Sequence, residues 1–324
     1  MTPVRRETII SPPDPSEIRR PEARVRRFSV RPRSQSPVLG LVATPRESRG
    51  LTLHFIGYNV TMGPWEAAKC ALWAARSGTT VVAAELPGFS RYGHPLPGRT
   101  RTELLDDNPV PWATAAMECL DAVIRRAGVA VPDRVDVLAF STGCSLAVAA
   151  WPAIQALYPV ASLTLVEPVA IGERGMERLT LDNVIDQALR VRNLPGNLSQ
   201  AWIREAARRQ LGEPGLKAIP PDAIALLSLL SSDDTRERLA TLDLGPTNLV
   251  RGALSQLSRE REFAALDSVL ESRGVAGTSA TVAGCGHQLW HSFPVVAALA
   301  DALAGPADLE PAGDLVGVGG RQSP

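Results

Sequence analysis

The chain has 324 residues, with 34 basic and 34 acidic side chains and a formal charge of zero. Hydrophobic residues make up 45% and charged residues 21%, which excludes a wholly disordered chain and predicts a sizeable core. Zero net charge argues against nucleic acid as a partner, and the lack of any apolar run of about 18 residues argues against a membrane span. The four cysteines lie far apart with no C-x-x-C, and the four histidines show no ligand spacing, so neither a metal nor another cofactor is expected.

Residues 1–36 carry nine Arg against four acids, with prolines throughout. Residues 1–23 show no periodic pattern and are expected to form a basic, Pro-rich arm, either loosely docked or serving as a contact for a second copy in a homo-oligomer. No apolar run follows the paired arginines Arg5-Arg6 and Arg19-Arg20, so no export signal is expected and the default location is cytoplasmic. Short apolar strands are then predicted at Arg24–Val30, Val38–Ala43, Leu51–Ile56, Thr80–Glu85, Val135–Phe140, Ala161–Glu167, Thr247–Arg251 and Ala280–Ala283. Most are unbroken apolar runs, as expected of strands covered on both faces. Helical spacing separates them at Trp65–Ala75 and Pro111–Ala127. This alternation predicts an α/β class with βαβ crossovers and a mostly parallel, eight-stranded sheet flanked by helices.

The alternation fails once. About eighty residues separate Glu167 from Thr247, and they contain helical blocks at Leu181–Val191, Ser199–Leu211 and Pro221–Leu239. The last is expected to be capped by Asp222 and to bury Ile224, Leu226, Leu227, Leu229 and Leu230. An all-helical insertion between parallel strands is most simply a cap over the sheet's C-terminal edge, where ligands bind in open α/β sheets. The expected division is arm 1–23, core 24–167, cap 168–245, core 246–304 and flexible tail 305–324.

One segment carries chemistry. Val135-Asp-Val-Leu-Ala-Phe-Ser141-Thr-Gly143 runs an apolar strand straight into a serine, and an Ala-rich helix starts at once. Two residues before and after the serine stand Ala139 and Gly143, small enough for a tight turn. The amide of Thr142, at the helix start, would point where Ser141 points. The segment resembles the nucleophile elbow of the α/β-hydrolase family, with Ala in place of the first Gly. Leu51–Tyr58 resembles the family's oxyanion strand, which implies the amide of Tyr58 as a second oxyanion donor beside Thr142. Glu85-Leu-Pro-Gly-Phe-Ser90 resembles the Asp-x-Pro-Gly-x-Gly loop, and Gly286-His287 the Gly-His after the last strand. The resemblance implies Ser141 as nucleophile and His287 as its base. His54 is expected to be packed within its strand, and His291 to be structural.

Two departures follow. Ile56 stands where the family has His, and Ser255 stands where its acid belongs. A hydroxyl can orient an imidazole but cannot stabilise its cation. Glu167, ending the strand next to the elbow strand, is the natural substitute, or else it only hydrogen-bonds its own loop; Glu260 and Glu262 fall in a charged run expected to be solvated. The expected activity is a serine-dependent hydrolase or acyl transferase on an ester, lactone or thioester of a small, largely apolar metabolite, of the kind met in secondary metabolism. The departures leave an alternative: a non-hydrolytic cyclase, isomerase or ligand-binding protein with an incomplete triad.

Overall fold

The computed structural model describes residues 5–303 except 33–35, 59, 216 and 218, with no side chains described at 190–197. The expected tail, 305–324, therefore lies outside the described residues. The strands are β1 (Arg5–Ile10), β2 (Ala23–Val30), β3 (Val38–Pro45), β4 (Leu51–Phe55), β5 (Thr80–Ala84), β6 (Val135–Phe140), β7 (Val160–Val166), β8 (Thr247–Gly252) and β9 (Gly277–Val282). They form one sheet in the order β1-β9-β8-β7-β6-β4-β5-β3-β2. Only β3 runs antiparallel to its neighbours; every other pairing is parallel. Every residue of β4 and β5 is buried, which is why these runs lack a period of two.

Nine strands replace the predicted eight. The extra strand, β1, lies in the segment read as a coreless arm, and pairs parallel to β9 from Arg5 opposite Gly277 to Ile10 opposite Val282. Its anchor is charged: Arg5 Nε meets Asp267 at 2.6 Å while its Nη1 donates to the Thr247 carbonyl at 3.0 Å. Farther on, Ile18 is fully buried and its carbonyl accepts from Trp202 Nε1 at 3.2 Å. These contacts dock residues 5–18 on the core.

Helices α1 (Pro64–Ser77), α2 (Gly98–Leu105), α3 (Val110–Ala127), α4 (Thr142–Ala149) and α5 (Trp151–Leu157) belong to the first half. Between β7 and β8 come α6 (Met176–Asn197), α7 (Ala201–Leu211), α8 (Pro220–Ser231) and α9 (Asp234–Leu239); α10 (Glu260–Ser272) and α11 (Phe293–Leu303) follow. Helices α1, α7 and α11 pack together, and α3, α4, α9 and α10 form a second series of contacts. Of the four helices in the long insertion, α6 and α8 pack on each other, while α7 lies on α1 and α9 on α4. Within the insertion, α6 and α8 therefore form a pair, while α7 and α9 join the helices of the core.

The block predicted as one helix at Pro221–Leu239 is two, broken at Ser232-Asp233. Asp222 is not its cap. The N-cap is Ile219, and the buried Asp222 carboxylate accepts from Leu96 N at 2.9 Å and Arg101 Nε at 2.8 Å, tying α8 to α2 and to the loop before it. Ile224, expected on the buried side, is 54% exposed. No described helix is long and apolar enough to cross a membrane.

Candidate active site

Strand β4 sits between β5 and β6, so successive crossovers leave it in opposite directions. Such a switch point opens a crevice at the strands' C-terminal ends. Ser141 stands in that crevice, between β6 and α4, with φ 55° and ψ −124°. A non-glycine residue in this region carries local strain of about 1–3 kcal/mol and persists only where its surroundings dictate it. Here Ser141 N donates to the Val166 carbonyl at 2.9 Å, and the Ser141 carbonyl accepts from Cys144 N at 2.8 Å. Gly143 is required by crowding: a Cβ there would collide with the Phe55 carbonyl oxygen and lie 2.7 Å from that of Ile56. The same close approach presses the loop after β4 against the turn, so Tyr58 and Thr142 line one cavity with Ser141 and His287.

His287 begins a short 3-10 turn, His287–His291, after β9. Its Nε2 lies 2.8 Å from Ser141 Oγ and its Nδ1 2.9 Å from Glu167 Oε2. All three side chains are buried. An ionised carboxylate only accepts, so Nδ1 carries the ring proton and Nε2 presents its lone pair to the serine hydroxyl. The ring is also stacked on Phe140, with centroids 5.7 Å apart.

Glu167 follows β7 and, like Ser141, has a φ of 55°. Its amide donates to the Val250 carbonyl at 2.7 Å, which locks the residue against β8. From there the longer Glu side chain crosses to the imidazole. Oε1 accepts from Gly252 N, and Oε2 accepts from Ser255 Oγ at 2.7 Å as well as from the ring. Ser255 is therefore no gap in the constellation: it donates to the carboxylate that stands beside it. Glu260 is exposed and 3.6 Å from Arg251, and Glu262 pairs with Arg174; neither is bonded to His287.

Two supports were not visible in the sequence. Asp186, on α6, is wholly buried; its Oδ1 accepts from His287 N at 3.0 Å, and its Oδ2 accepts from Gln256 N at 3.0 Å and Leu257 N at 3.1 Å. One carboxylate on α6 thus holds the loops after β8 and β9 together. Burial pushes its pKa up, against the pull of the His287 amide and ring. Gly286 makes room for it, since a Cβ there would lie 2.7 Å from Asp186 Oδ1. Only the helix's run past Leu181 announces Asp186, and nothing local distinguishes it from a solvated acid.

The second support is Trp290. Its Nε1 donates to Glu66 Oε1 at 2.9 Å, and the indole packs 4.8 Å from the ring of His54. Burial would raise the Glu66 pKa, but Lys69 at 2.5 Å and a hydrogen bond from His54 hold it well below the usual range. His54, Glu66 and Cys70 offer atoms within 4.8 Å of one another, yet the Lys69 ammonium already neutralises the carboxylate, and burial keeps the Cys70 thiol protonated. These residues fit a buried ion pair better than a metal. Cys285, near His287, is likewise inert, its thiol pushed up to about 11 by burial and then by Glu167. His291 lines the cavity and meets Phe140 edge-on.

No protein-family profile matches the chain, and no curated protein matches it by sequence. Solved structures do. A thioesterase domain from the curacin biosynthetic pathway superposes with TM-score 0.55 and 20% identity, over 86% of this chain and 98% of that one. A thermophilic esterase from Thermogutta terrifontis superposes with TM-score 0.51 and 16% identity, over 85% and 96%. Likeness at that level of identity speaks for architecture, and with the strand order and the turn after β6 it leaves one assignment: the chain has the α/β-hydrolase fold.

Proposed function

We propose that the protein is a serine-dependent hydrolase or acyl transferase acting on an ester, lactone or thioester of a small, largely apolar metabolite. The observation that carries this is the buried relay from Ser141 Oγ through His287 to Glu167, with links of 2.8 and 2.9 Å, on the floor of a cavity of about 240 Å³. That volume lies below the roughly 300–1,000 Å³ of drug-sized sites, which favours a short acyl group. The chain's likeness to a thioesterase domain and an esterase is consistent with this choice of electrophile.

In this reading His287 Nε2 takes the Ser141 proton as Oγ attacks the carbonyl carbon. The amides of Thr142 and Tyr58 hold the resulting oxyanion, with the α4 dipole behind the first. His287 then returns the proton to the departing alkoxide or thiolate, and the C–O or C–S bond breaks. Water, or an acceptor alcohol or amine, repeats the attack on the acyl-enzyme and frees Ser141. Glu167 fixes the ring tautomer and stabilises the imidazolium. The alternative of a non-hydrolytic role rests on Ser255 and Ile56; the bond from Ser255 to Glu167 weighs against the first of these grounds, and Ile56 remains a departure.

The test is turnover of p-nitrophenyl butyrate and a butyryl thioester by the purified protein. Release of butyrate from at least one is expected; inertness toward both, with the protein folded, would contradict the proposal. Asp186 gives a second expectation. Asp186→Ala leaves three amide donors unpaired and frees the His287 loop, and a misplacement of about 1 Å costs on the order of 10² in rate. Steady-state kinetics should show kcat lower by about that factor, with KM for the short ester little changed.

A further inference from the structure

The cavity above Ser141 has two unlike walls. Leu226 and Leu230 of α8, with Leu257, make one apolar side. Helix α6 makes the other, and there Thr180, Asn183 and Gln187 face the cavity. Their spacing of three and four residues puts them on one helix face, and at 1.5 Å per residue the row spans about 10 Å. Asn183 and Gln187 are half-buried, and no side-chain hydrogen bond joins either to another described residue. A ligand that fills the cleft displaces the water around these carboxamides, and leaving them then without a partner is costly. Two in a row along an apolar cleft therefore favour a ligand that supplies that partner. Among the described residues no Lys, Arg, Asp or Glu lines the cavity, which suits an uncharged group.

We propose that α6 reads an uncharged oxygen function, a hydroxyl or a carbonyl, carried by the substrate away from its scissile bond, with Asn183 and Gln187 as the specificity-determining residues. The inference rests on the reading that this cavity is the acyl-transfer site. Either amide can donate through its NH2 or accept through its oxygen, so both functions suit it. The oxygen can belong to the acyl chain or to the leaving group, and the two are separated by the choice of probe.

Binding is measured by calorimetry on the Ser141→Ala protein, which removes turnover from the comparison. The acyl series is ethyl hexanoate against ethyl 3-, 4- and 5-oxohexanoate; the leaving-group pair is propyl hexanoate against 2-hydroxyethyl hexanoate. At least one oxygenated member is expected to bind about tenfold or more tightly than its parent. Asn183→Leu with Gln187→Leu should bring that ratio to within about twofold while the parent ester binds as well or better, which also shows that the double variant folds. Equal binding across every pair, or a preference that survives the double variant, would overturn the proposal. Because the readout is binding, a preference without turnover by the wild-type protein would count against the hydrolase reading alone, and turnover without preference against this inference alone.

Discussion

Ser141→Ala is expected to lower kcat for a short-chain ester by about 10⁶, the scale seen when a triad serine is removed from a serine protease. The size follows from what remains. In the proposed mechanism the Thr142 and Tyr58 amides and the cavity would still bind the ester and its oxyanion, and such residual groups give about 10³ over water. No atom is left to form the acyl bond. The substitution removes one buried oxygen from a residue whose backbone is held by Val166 and Cys144, so the variant should unfold within a few degrees of the wild type. Stopped assays with p-nitrophenyl butyrate at high enzyme concentration would measure the ratio.

Glu167→Gln is expected to cost about 10⁴ in kcat, comparable to replacing the acid of a serine protease triad by its amide. The hydrogen-bond pattern explains why the loss is so large. Both Glu167 oxygens only accept: Oε1 from Gly252 N, Oε2 from Ser255 Oγ and His287 Nδ1. A glutamine has one oxygen and one NH2. With its NH2 toward His287, the ring must give up its Nδ1 proton and protonate Nε2, which then cannot accept from Ser141. With its NH2 toward Gly252, two donors face each other in a fully buried place, a penalty of about 1–3 kcal/mol. Ser255→Ala should be much milder, since the carboxylate keeps its charge and its bond to the ring. A Glu167→Gln effect no larger than that of Ser255→Ala, read as kcat on the same ester, would remove Glu167 from the proposed mechanism.

How far the sequence reached can be judged residue by residue. Unbroken apolar runs such as Val135–Phe140 marked the covered strands, because a strand buried on both faces needs no alternation. The elbow was legible because a tight strand-to-helix turn demands small residues at 139 and 143, and its crowding around Phe55 shows why. Glu167 was legible as a carboxylate at a strand end, but its choice over position 255 depended on reach across the sheet, which spacing does not encode. Strand β1 was missed since Arg5–Ile10 is an edge strand with four of six residues exposed; its pairing with β9, some 270 residues on, supplies the order that local pattern lacks. Helix α2, short and polar, had no apolar face to betray it. Asp186 was missed for the same physical reason as β1: its partners, at 256, 257 and 287, are remote in sequence and are backbone amides with no residue-type signature.

The proposed mechanism requires the Ser141 oxygen to bond covalently to the substrate's carbonyl carbon, and trapping that oxygen tests it. Treating the protein with a fluorophosphonate and locating the adduct by peptide mass spectrometry should find a single modification, on Ser141, that blocks ester turnover and forms far more slowly in His287→Ala. An unmodified Ser141 in protein that still turns over esters, or activity that survives Ser141→Ala undiminished, would contradict the account.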